Sequence, residues 1–176
     1  TGHDDPMRLG KFGLGLKTAS TAFCRKLSVI TREDPGSRLL QATWDIDHVV
    51  TTSEWELFLD EPDSFLQNMF EEVASESSGT LVVWGKVDRL LKDYSAPSGS
   101  FARKALDKII NGFKEHASMV YQRFVDTGDE RARNIEINLN DFLITPWDPF
   151  CESEDETELV AQKTLPVELP DGSSAE

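Results

Sequence analysis

The chain has 176 residues, 39% of them hydrophobic and 28% charged, with a net charge of -14. That length fits one domain, or one domain with part of a second. No run of about 20 apolar residues exists to span a bilayer, and the acidic balance argues against broad nucleic-acid or anionic-lipid binding.

The opening residues, Thr1 to Pro6, are polar, carry no initiator Met and no hydrophobic leader core, and read as the interior of a loop. Residues 1–9 are expected to be mobile. Gly10 to Gly15 (GKFGLG) is a glycine turn, and a helix follows from Leu14 to about Cys24, with Leu16, Ala19, Ser20 and Phe23 at helical spacing. Arg25 to Arg32 alternates, with Leu27, Val29 and Thr31 on one side, and reads as a strand. Asp34-Pro35-Gly36-Ser37 signals a turn into a second, antiparallel strand from Leu39 to Ile46. Thr51 to Asp60 fits neither period. Asp60 to Asp63, with Pro62, opens a helix whose apolar face is Phe65, Leu66, Met69, Phe70 and Val73. Thr80 to Val87 reads as a buried strand, and Ser95 to Ser100 as a loop. Phe101 to Phe124 carries a continuous helical stripe through Ala102, Leu106, Ile109, Phe113, Ala117, Val120 and Phe124. Ile135, Ile137 and Leu139 alternate as a half-buried strand. The order fits an α+β two-layer sandwich, with an antiparallel or mixed sheet and helices on one face.

Charge is unevenly spread. From Cys151 to Glu176 there are eight acids and one base; from Thr1 to Arg32 there are six bases and two acids. The basic stretch is thus also the glycine-rich one. Three phosphate-loop patterns compete there. Walker A fails because Lys17-Thr18 arrive one residue late after Gly15 and no strand precedes the loop. The dinucleotide pattern fails because Thr18 stands at its last glycine position. What remains is G-x-x-G-x-G, at Gly10, Gly13 and Gly15, opening a helix. Such a turn bares main-chain N–H groups at the positive end of a helix dipole, an arrangement suited to nucleotide phosphates. The same spacing also suits an ordinary glycine turn ahead of a packed helix.

Leu9 to Arg32 (LGKFGLGLKTASTAFCRKLSVITR) resembles the segment of the gyrase B/Hsp-chaperone/histidine-kinase/MutL (GHKL) ATPases that closes over the ATP triphosphate. Gly79-Thr80 before an apolar strand resembles the family's second signature. The Hsp-type chaperones carry a G-x-F-G-x-G-F version of the turn, the MORC ATPases a Lys matching Lys17, and Ile144 to Phe150 resembles uncharacterised bacterial ATP-binding proteins of the group. The resemblance covers roughly residues 1–150. It implies a partial Bergerat fold over residues 1–141, followed by an acidic linker or the start of another domain at 142–176. It implies phosphate contacts from Gly10, Lys11, Phe12, Gly13, Leu14, Gly15, Leu16 and Lys17, and a place for Thr80 in the adenine-side network.

The cofactors so implied are ATP and Mg2+, with the catalytic Glu, the metal-binding Asn and the D-x-G-x-G motif expected upstream of Thr1. No metal site is expected within the chain. Asp126-Thr127-Gly128-Asp129-Glu130 mimics that last motif but lies downstream and reads as a loop. Slow ATP hydrolysis, lid closure and transient homodimerisation are expected of the full-length parent, in the cytoplasm, with no nucleic-acid or membrane partner for this segment. The segment alone is expected to bind ATP weakly and to be inactive. The competing expectation is a non-hydrolysing interaction scaffold on a degenerate ATPase fold. Cys24 and Cys151 are expected to be free thiols.

Overall fold

The fold is that of a computed structural model, which describes residues 15–90, 96, 98–152, 154–158, 160–161, 163–168 and 174–175. The chain divides into two units, residues 1–103 and 104–176.

In the first unit, α1 (Gly15–Phe23) leads directly into β1 (Cys24–Arg32). β2 (Leu40–Asp45), α2 (Ile46–Thr52), β3 (Phe58–Asp60), α3 (Ser64–Ala74) and β4 (Gly79–Val87) follow. The four strands form one sheet in the order β3-β2-β1-β4, antiparallel throughout. The expected α+β class and antiparallel pairing are what the structure shows. Between β1 and β2 the chain reverses at Asp34 to Ser37, where the Ser37 amide donates to the Asp34 carbonyl at 3.0 Å. Pro35 presets the first corner, and Gly36 takes a φ of 76° that its missing Cβ permits.

Leu27 pairs with both Trp44 and Trp84, and Thr31 with Leu40 and Thr80. Side chains alternate across a strand, so Leu27, Val29 and Thr31 share one face, and Ser28, Ile30 and Arg32 the other. α1 covers the first face: the Trp84 indole N–H donates to Ser20 Oγ at 2.9 Å, and Phe23 stacks on the Trp84 ring. α3 meets the second face near Gly79, where buried Phe70 packs and the Arg32 guanidinium lies over its ring. The helices therefore divide between the two faces, because β1 carries buried residues on both: Leu27 on one, Ile30 on the other.

α3 begins where Asp63 accepts a hydrogen bond from the Leu66 amide, a side-chain N-cap. Two elements depart from the sequence reading. The helix α2 occupies the end of the expected second strand and part of the ambiguous stretch, because Asp45 caps it by accepting from the Asp47 amide. The rest of that stretch supplies β3, paired to β2 from Phe58 to Asp60.

α4 (Ser100–Val120) starts just before the division and runs into the second unit, which also holds α5 (Gln122–Val125). The single helix expected to Phe124 is interrupted at Tyr121. The strand expected over Ile135 to Leu139 is limited to β5 (Asn138–Leu139), which pairs with β6 (Phe142–Leu143). Asn140, at φ 53°, makes the tight reversal that ends β5. The Ile135 amide instead donates to the Phe124 carbonyl, tying the preceding segment to α5. Val167–Glu168 (β7) pairs with Ser174–Ala175 (β8). Residues 126–130 form a loop, as expected, with the Asp126 carboxylate accepting from the Gly128 amide.

Candidate functional site

Of the residues singled out at the glycine turn, Gly10, Lys11, Phe12, Gly13 and Leu14 lie outside the described residues. Gly15, Leu16 and Lys17 form the exposed first turn of α1, and a Cβ built on Gly15 would meet nothing within 4 Å. With no residue between α1 and β1, the helix folds back along the strand that follows it. Nine residues of helix cover about 13 Å, the length of roughly four strand residues. The amino end of α1 is exposed, with Lys17 over Trp44 and with Ser20 and Phe23 at Trp84, the two strand neighbours of Leu27.

On the same sheet face, four residues along β4 from Trp84, stands Thr80. Its hydroxyl is 3.1 Å from that of Thr31, which also donates to the Gly79 carbonyl at 3.0 Å. A hydroxyl has one proton to give. Thr31 gives its proton to Gly79, so Thr80 is the donor in the hydroxyl pair, and the exposed Thr80 oxygen keeps lone pairs with which to accept. Thr31 was not singled out in the sequence, although its place beside Leu27 and Val29 on β1 was legible there. Val82, two residues beyond Thr80, is 40% exposed and gives this part of the face an apolar floor.

On the opposite flank of α1, a cleft of about 310 Å³ opens between α1, the sheet and α2, with Lys17, Leu27, Trp44, Ile46, Val49 and Trp55 among its walls. Lys17 Nζ lies 4.4 Å from the centre of the Trp44 ring, a cation–π contact. A lattice of ion pairs fixes the cleft's far wall. The Arg25 guanidinium donates to Asp47 at 2.7 Å, and Lys86 Nζ reaches Asp45 at 2.9 Å and Asp47 at 2.7 Å. Lys86 adopts a φ of 53° at the end of β4.

The Lys86 and Arg25 hydrogen bonds hold the Asp47 carboxyl below its ordinary range. Burial pushes Asp45 the other way, but hydrogen bonds from Lys86 and the Asp47 amide outweigh it, and the net shift is downward. Cys24 is buried, and burial pushes its thiol up despite the Lys26 main-chain hydrogen bond and the Arg89 charge, which act the other way. Both cysteines are free. Among the described residues, no group of three or more His, Cys, Asp or Glu side chains could hold a metal ion, and no helix is long and apolar enough to cross a membrane.

An exposed helix start, preceded in sequence by a glycine-rich turn and laid over an antiparallel sheet, defines the class: an α+β protein. Residues 2–80 match the family described as Histidine kinase-, DNA gyrase B-, and HSP90-like ATPase, a match that supports membership of the GHKL superfamily. The matched span includes the glycine turn, α1, both central strands and the Gly79-Thr80 pair. It supports an ATP-binding, ATPase-like function in general terms. No curated protein and no solved structure matches the chain.

Proposed function

We propose that the protein binds ATP on the Thr31–Thr80 side of α1, with the triphosphate at Gly10 to Lys17 and the adenine toward Thr80. The observation that carries the reading is the family match across the glycine turn, joined to an α1 amino end that stands in solvent. Main-chain N–H groups of Gly10, Phe12, Gly13, Leu14, Gly15 and Leu16 would receive phosphate oxygens. Lys11 and Lys17 would add positive charge. Thr80, with its proton committed to Thr31, would accept a hydrogen bond from a water or amino group on the adenine side.

The residues fit the nucleotide: an open helix end for the anion, an apolar floor at Val82, and an exposed acceptor at Thr80. Magnesium, when bound with the nucleotide, would neutralise phosphate charge; the described residues supply no cluster for it, and no step is assigned to it. In this proposal hydrolysis is slow and cytoplasmic. Closure of residues 1–9 over the triphosphate, with transient homodimerisation, transmits the nucleotide state to other domains. The ATP-binding part takes in residues 1–141, and 142–176 leads toward a following domain.

The test is calorimetric titration of the full-length protein with Mg-ATP, beside its Gly13→Val and Lys17→Ala variants. Gly13→Val is expected to abolish binding, by placing a side chain where phosphate approaches, and Lys17→Ala to weaken it severely. Unchanged affinity in both variants removes this reading.

A further inference from the structure

We propose that the cleft between α1 and α2 is a second ligand site, which takes a small amphipathic carboxylate and through it lowers affinity at the nucleotide site. The walls favour an apolar body. Leu27 is buried, Trp44 and the α2 residues Ile46 and Val49 line the cleft with it, and Trp55, 72% exposed, joins them. At about 310 Å³ the cleft falls in the size range of small-molecule pockets, which are mostly apolar with a few placed polar groups.

The charge at the mouth favours an anion. Arg25 and Asp45 also border the cleft, but Arg25 is engaged by Asp47, and Asp45 by Lys86. Lys17 is different. It rests over the Trp44 ring, and among the described residues no carboxylate lies within ion-pair distance of it. In a chain of net charge -14, the cleft therefore presents a positive head-group position above an apolar floor. The ion lattice that holds α2 to the sheet keeps the cavity formed without a ligand, so binding orders little.

The regulatory half rests on the ATP reading above. Lys17 is the one side chain common to both places: its backbone belongs to the phosphate-binding turn, and its ammonium lies at the mouth of the cleft. A carboxylate that holds the ammonium over Trp44 withholds it from the triphosphate.

The experiment uses the full-length protein, tryptophan fluorescence, and two probes below their aggregation limits: sodium decanoate, and decan-1-ol as its uncharged counterpart. Decanoate is expected to give a saturable change, with decanol and the Lys17→Gln variant each about fivefold weaker, the size of one partly exposed ion pair. Val49→Trp, which fills the cavity, is expected to abolish decanoate binding with the far-ultraviolet dichroism retained. Decanoate is expected to raise the calorimetric Kd for Mg-ATP in the wild type and not in Val49→Trp. Equal binding of decanol and decanoate, or binding that survives both substitutions, overturns the site; should Val49→Trp fail to fold, the exposed Lys17→Gln variant and the decanol comparison still decide. Decanoate binding with an unmoved ATP Kd overturns the coupling. If the wild type binds no ATP at all, the ATP reading and the coupling built on it fall together, while the fluorescence result still decides the site.

Discussion

Ser20 is the side chain on which the seating of α1 turns. It is fully buried, and its hydroxyl receives the indole N–H of Trp84. Ser20→Ala removes that bond to a partly exposed indole, at a cost of about 0.5–1.5 kcal/mol, which urea unfolding followed by fluorescence will register. Gly79 makes the opposite case. A Cβ there would lie 3.5 Å from Ala74 Cβ and 3.7 Å from Phe70, ordinary contact distances. Gly79→Ala should therefore leave the urea midpoint within experimental error, and sterics alone do not require glycine at the Gly-Thr pair. At this scale the sequence showed Lys17 and Thr80 as candidates because their neighbours in the chain are informative. It did not show that Lys17 lies on Trp44 or that Thr80 is tied to Thr31. Both contacts join residues far apart in sequence, and they depend on the register of strands that had not yet been paired.

Among the elements, α2 is the least secure by its own composition. IDHVVTT is seven residues long and rich in β-branched side chains, which restrict helix rotamers. This is why the sequence read its beginning as strand. Tertiary contacts overrule the propensity: Asp45 caps it, Asp47 is held by Arg25 and Lys86, and His48 packs edge-on against Phe58. Asp45→Ala removes the cap and one of the lattice anchors. Loss of the cap alone is expected to cost about 1 kcal/mol, and proteolysis within residues 46–56 should accelerate before global unfolding does. By contrast, β1 and α3 were legible because their apolar periods are clean and because Asp34 to Ser37 and Asp63 are strong local signals, and β4 was legible as a strand though not buried as expected: Thr80, Val82 and Trp84 are exposed. The over-long strand at Ile135 to Leu139 has a simple origin: its alternation is real, but Asn140 turns the chain after two pairs, and the Ile135 amide is taken by Phe124.

For the molecule as a whole, acid is the condition to vary. Asp47 is held below its ordinary range by Lys86 and Arg25, Glu71 by Arg32 and the Glu76 amide, and Asp129 is brought to about 2 by Arg131. Each is a carboxyl whose folded value is depressed. Its contribution is complete above the unfolded value and is lost as pH falls through the folded one. Thermal melts should be flat near neutrality and fall progressively from about pH 4 downward. Because Asp47 and Glu71 belong to the first unit and Asp129 to the second, both units should lose stability in that window. Arg131→Ala should shift only the second unit's acid transition toward higher pH; an unchanged transition would remove the Asp129 pairing as a stabilising contact.

The order β3-β2-β1-β4 also sets a sequence of events in time. At every position from Lys26 to Thr31 β1 has a neighbour on each side, whereas among the described residues β3 and β4 each have one. Deuterium should reach the outward amides of β4 at rates close to those of loops. Those of Leu27 to Ile30 should hold their protons until the whole sheet opens, so the slowest-exchanging peptides will report the unfolding equilibrium of the first unit directly.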